Sequence, residues 1–210
     1  MSPLLLSLLI VLILPLFLAT WRVSLAGLAL QGVLMGWLAF RVHPHWSMEL
    51  ALTEIDLIGL RAVAVPLFLG RVLARGRAAS RNDVIPPNML AWTAALALVL
   101  LAFRFADAAS PGGGDAYLVV AVSMTGVLLG LLILATQSGA FSQVVGVLRI
   151  ENAIALFEIG TSAAEESLAI RLGQLLVLAL TLAIFALHLG RMGGTGVTAL
   201  SEAQEHEEAP

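Results

Sequence analysis

Arg149, Glu151, Asn152 and Glu158 interrupt an apolar run between about 143 and 160, and Glu54, Asp56 and Arg61 interrupt another between about 50 and 73. An ionised side chain at a bilayer centre costs at least about 2.5 to 3.5 kcal/mol, and such groups pair or line a hydrated path. Glu151 and Glu158 are seven residues apart, about 20° short of two helical turns, so both carboxylates look out of one helix face. Arg149, two residues from Glu151, points elsewhere. Glu151 therefore needs a partner on another helix, a wet cavity, or a proton, and Arg61 and Arg171 are the cations within reach of neighbouring spans. A carboxylate in low dielectric beside a guanidinium can exchange a proton near neutral pH where desolvation and pairing offset each other, which is the basis of a proton relay.

Each of these groups also has a plainer reading. Glu158 lies near a helix end and can reach headgroups or water by snorkelling, as can Arg71 and Arg104. Glu54 and Asp56 stand in the first turns of their span, where negative charge suits a helix amino end. Glu151 and Arg61 are deeper and least easily explained this way. No histidine pair suits a haem, since His188 sits at a span end, and His43 with His45 has no acidic neighbour to complete a metal site. Pro111 to Gly114 carries no lysine after it and is a turn, not a phosphate loop. No catalytic constellation, cofactor site or nucleic-acid-binding pattern emerges.

Residues of this kind have to be placed by helices in lipid. The chain has 210 residues, 60% of them hydrophobic and 12% charged, with a mean hydropathy of +0.98; one soluble core could not hide so much apolar surface. A helix crosses a hydrocarbon core of about 30 Å in about 20 residues, and runs of that length recur. They predict an all-α, polytopic transmembrane bundle of about seven spans, at about 4–20, 23–40, 50–73, 89–105, 117–136, 143–160 and 168–190. The first lacks a basic n-region and is followed by Trp21-Arg22, so it reads as a retained span and not a cleaved signal. Pro66 lies inside the third span, which predicts a broken or kinked helix. The segment from Arg41 to Leu50 reads as a loop.

All eleven basic residues are arginines, and Arg71, Arg75, Arg77 and Arg81 form their only cluster. Fixing that loop inside places the amino terminus outside, the carboxyl terminus inside, Arg22 and Arg191 inside, and the acidic turns Asp107–Asp115 and Glu165-Glu166 outside. Residues 1–190 thus form one transmembrane domain, and 191–210 an acidic cytoplasmic tail within a net charge of −3. There is no cysteine, which excludes disulfides, thiolate metal sites and a cysteine nucleophile.

The run Thr136 to Ala153 resembles the membrane subunit called hydrogenase-4 component E. In that family a Gln-containing turn leads into a helix with a glycine followed five residues later by Glu-Asn, as in Gly146, Glu151 and Asn152 here. Family members also carry a basic residue before a Val/Ile-Pro-Leu sequence, matched by Arg61 before Val65-Pro66-Leu67. The last three helices of component E, about 117–190 here, are in turn similar to the K-type small subunit of complex I and the C-type subunit of multisubunit sodium/proton antiporters. The K-type subunit places its glutamate where this chain has Leu148, and the acid often found in the last helix of component E falls near Gln174 and Leu175, one turn past Arg171. The resemblance implies a non-catalytic subunit of a complex-I-like oxidoreductase in a bacterial inner membrane, of the group 4 hydrogenase or formate hydrogenlyase type. It further implies antiporter-like membrane subunits as partners, no cofactor of its own, and proton or sodium movement past the buried charges. A stand-alone secondary transporter and a structural spacer are the competing readings; the first would show inverted halves, and no such repeat is visible.

Overall fold

A computed structural model describes residues 2–17, 20–43, 48–75, 89–137, 139–161 and 172–187. Those residues are helical apart from short connections, as apolar runs must be in lipid, where the backbone has to satisfy its own hydrogen bonds. The helices are α1 (Ser2–Phe17), α2 (Trp21–Val42), α3 (Met48–Glu54), a π-helical segment (Ile55–Ala64), α4 (Val65–Arg75), α5 (Met89–Ala109), α6 (Gly114–Thr136), α7 (Ala140–Thr161) and α8 (Leu172–Leu187). Five stretches are long and apolar enough to cross a membrane: Trp21–Val42, Leu50–Ala74, Met89–Ala109, Gly114–Thr136 and Ala140–Thr161. α1 and α8 are shorter apolar helices.

Local chemistry sets the ends. Thr20 caps α2, its hydroxyl accepting from the Val23 N–H at 3.4 Å. Gly113 and Gly114 take φ of 65° and 78°, a conformation that favours residues without a Cβ, and so end the turn that launches α6. The helices run further than the apolar runs alone suggest: Arg41 and Val42 belong to α2, and α3 has begun by Met48, so the connection expected from Arg41 to Leu50 is shorter. Polar residues at a helix end extend it beyond the hydrocarbon without penalty.

Small residues bring the helices together, as membrane interfaces require when lipid is as apolar as the side chains. α6 and α7 pack most extensively. A Cβ on Gly130 would stand 2.9 Å from the Gly146 carbonyl, one on Gly126 2.7 Å from the Ala153 Cβ, and one on Gly160 would collide with a Val119 methyl. α2 lies equally close to the third span, since a Cβ on Gly32 would come within 2.7 Å of the Ala62 nitrogen and of the Leu57 carbonyl. α5 packs on α6 and otherwise presents apolar side chains outward.

Two apolar clusters fill the bundle. One joins α1, α2, the third span, α6 and α7 around Leu8, Leu12, Met35, Leu57, Val122 and Leu156. The other joins α2, α4, α7 and α8 around Leu28, Val65, Leu69, Val145, Leu148 and Phe185.

Candidate functional site

The kink expected at Pro66 takes the form of a π-helical segment that ends just before it. Its last bond runs from the Val65 N–H to the Leu60 carbonyl, and Pro66 offers no donor to continue the ladder. The register decides which side chains meet. Residues five apart in an α-helix are rotated by about 140°, whereas i→i+5 bonding brings them onto one face. Arg61 Nε accordingly donates to Asp56 Oδ2 at 2.9 Å, five residues back on its own helix.

Arg61 is buried, and its second contact crosses the bundle: Nη1 donates to Asn152 Oδ1 on α7 at 3.0 Å. Asn152 Nδ2 donates onward to Gln31 Oε1 on α2 at 3.2 Å. One hydrogen-bonded chain, Asp56–Arg61–Asn152–Gln31, thus joins three spans, and its members on α2 and α7 sit at the middle of their helices. Residue by residue this arrangement stabilises a buried charge as physics demands, pairing it and satisfying its remaining donors.

Glu151 lies beside this chain on α7. Its Oε1 accepts the Thr181 hydroxyl of α8 at 2.8 Å, and it also interacts electrostatically with Arg61 and Asp56. Glu158, seven residues on, accepts from the Gln174 amide of the same neighbour. Both carboxylates therefore address α8 in antiparallel register. Arg149 points away from them, fully buried, with Nη1 donating to the Leu12 carbonyl of α1 at 3.2 Å. Among the described residues no carboxylate pairs with it.

The expected meeting of Arg61 with Glu151 is thus indirect. Asp56, already five residues away along the π-helical segment, takes the guanidinium, and a hydroxyl on α8 takes the glutamate. Glu54 stands near the close approach of α2, where a Cβ on Gly36 would lie 2.9 Å from its Oε2. Arg171, His45, His188, Glu165, Glu166 and the acidic tail lie outside the described residues. Among the described residues no three of His, Cys, Asp and Glu gather so as to hold a metal ion.

Gln31, Thr181 and Gln174 complete the site although sequence reasoning gave them no role as ligands of the charges. Gln31 carried a signal, being the one amide in the apolar run of α2, and amides in membrane helices seek partners across the bundle. Four buried polar atoms in this region have no partner among the described residues: Gln31 Nε2, Glu54 Oε1, Asp56 Oδ1 and Glu151 Oε2. Buried polar groups of this kind are commonly satisfied by water.

No protein family model, no curated protein and no solved structure matches the chain.

Proposed function

We propose that this chain is a non-catalytic, integral membrane subunit of a complex-I-like oxidoreductase, of the group 4 hydrogenase or formate hydrogenlyase type, that helps to move protons or sodium across a bacterial inner membrane. It joins antiporter-like subunits to the arm where electron transfer takes place, and the electron chemistry belongs to other chains. In this reading the chain crosses the membrane seven times, with the amino terminus outside and the carboxyl terminus inside, and 191–210 is a cytoplasmic tail.

The observation that carries the reading is the polar layer at the middle of the spans. Asp56, Arg61, Asn152 and Gln31 form a continuous chain across three of them, and Glu151 adjoins it with one oxygen bonded to Thr181 and the other without a protein partner. A carboxyl group so placed can accept and release a proton or coordinate a desolvated cation. The resemblance of Gly146, Glu151 and Asn152 to the component E motif supplies the kind of complex.

A structural spacer is the second reading, and Arg149 favours it: a fully buried guanidinium that, among the described residues, bonds to a backbone carbonyl of α1 is a buried charge without contact to the polar layer. Glu151→Gln separates the two, because the amide keeps the size of the side chain and can still accept from Thr181. The relay predicts that substrate-driven acidification or sodium uptake in membrane vesicles is lost while the assembled complex is recovered intact. Unchanged ion movement with poor recovery of the complex would establish the spacer.

A further inference from the structure

The polar side chains are not distributed evenly about the middle of the bundle. Glu54 and Asp56 precede Arg61 in the third span, Glu158 follows Glu151 in α7, and Gln174 precedes Thr181 in α8. Given the alternating direction of these helices, all of them lie on the side where α7 ends and α8 begins. The other half of the same helices is different. There α2, α4, α7 and α8 meet through Leu28, Val65, Leu69, Val145, Leu148 and Phe185, all buried in one cluster. Among the described residues, the buried polar side chains on that side are the hydroxyls Ser24 and Ser142, near the starts of α2 and α7, and Arg149, which turns away from the cluster to the Leu12 carbonyl of α1.

We propose that ions reach the polar layer of this chain from one face only, the face where α7 ends and α8 begins, and that the leucine- and valine-rich cluster seals the layer from the face bearing Arg71. The species admitted is a monovalent cation, hydronium or sodium. Among the described residues of the third span, α7 and α8, four carboxylates, Glu54, Asp56, Glu151 and Glu158, stand in the open half beside the guanidinium of Arg61, and Arg149 turns away to Leu12. Water can follow the buried atoms that no protein group satisfies, Glu54 Oε1, Asp56 Oδ1, Glu151 Oε2 and Gln31 Nε2, as far as Gln31. Beyond it the side chains of the cluster are aliphatic or aromatic, and a packed apolar layer offers a cation no ligand. The inference rests on the ion-moving reading for its purpose and on the arginine bias for the identity of the faces, with the open face outside.

The chain has no cysteine, so each single-cysteine variant gives this subunit one thiol, and labelling is read on the subunit after separation from its partners. A membrane-impermeant sulfonated maleimide reacts with the thiolate, which forms only where water reaches the sulfur. In the full complex, in right-side-out and inverted vesicles, Thr181→Cys and Glu158→Cys are expected to label from the outer face. Arg71→Cys, on an exposed position, is expected to label from the inner face. Leu28→Cys and Val145→Cys are expected to label at least roughly tenfold more slowly than Arg71→Cys from either face. Labelling of Thr181→Cys from the inner face, or of Leu28→Cys as fast as Arg71→Cys, overturns the proposal. So does silence of Thr181→Cys and Glu158→Cys from both faces while Arg71→Cys reacts. Gln174→Cys replaces any variant of the open half that fails to accumulate. Normal transport by Glu151→Gln would sink the relay and leave this pattern standing, whereas labelling from both faces would sink the one-sided path and leave the relay.

Discussion

Asp56 and Asn152 hold Arg61 from two directions, and the two arginines at mid-depth are held in opposite ways. Arg61 has an anion and an amide; among the described residues Arg149 has one backbone carbonyl, and its Nε has no partner. Breaking one partner out of a buried pair costs about 3 to 5 kcal/mol, while replacing an ill-compensated buried charge by an apolar side chain is often neutral or stabilising. Asp56→Ala is therefore expected to lower the midpoint of thermal unfolding in detergent sharply. Arg149→Leu is expected to leave it unchanged or raise it, and an equal fall in both would contradict this division. Arg61→Lys is expected to resemble the loss of a partner more than a conservative exchange, because an ammonium lacks the planar fork that reaches Asp56 and Asn152 together. Its measure is the same unfolding midpoint, with about 1 to 3 kcal/mol lost if a buried acceptor is left unsatisfied.

At the scale of the helices, backbone proximity carries the site. The π-helical segment that presents Arg61 to α7 lies directly against α2, whose Gln31 meets Asn152, and Gly32 permits that close approach of α2 to the segment. A Cβ there would sit 2.7 Å from backbone atoms of Ala62 and Leu57, which cannot rotate aside as a side chain could. Gly32→Ala is expected to lose about 1 to 3 kcal/mol or more to overpacking, seen as reduced accumulation and a lower unfolding midpoint. Gly173→Ala, with nothing within 4 Å of the added carbon, is expected to be neutral or slightly stabilising, since alanine suits a helix better. How far such features can be read from sequence depends on their range. The shared face of Glu151 and Glu158, and the divergence of Arg149, follow from helical periodicity within one span and are visible in the order of residues. The Asp56–Arg61 pair is invisible to that periodicity, because α-helical geometry separates residues five apart. Pro66 announces a break without saying that the break takes the form of a π register. The partner Gln31 lies 121 residues from Asn152 and Thr181 lies 30 residues from Glu151, and only packing brings them in.

Over the whole molecule, parity of direction ties the local contacts to an orientation. Ser2 Oγ at the start of α1 donates to Asp115 Oδ1 at the start of α6, at 2.7 Å, so these two helices begin on one face. Between those residues the chain passes through α1, α2, the third span and α5, and an even number of crossings returns it to the face it left. The contact thus supports α1 as a full crossing despite its shorter length, with local thinning of the bilayer or snorkelling of its ends meeting the mismatch. The same parity puts the start of α6 opposite the face bearing Arg71, which the orientation proposed from the positive-inside bias assigns to the cytoplasm. Reporter fusions test this directly. A phosphatase active only outside the cytoplasm is expected to be active when joined at Gly112 and inactive when joined within 76–88. Replacing Arg75, Arg77 and Arg81 by Gln is expected to reduce that contrast, because those charges carry most of the inside bias in the loop. Equal activity at both positions in the natural sequence would break the parity argument, and with it the assignment of the carboxylate-bearing half of the bundle to the outer face.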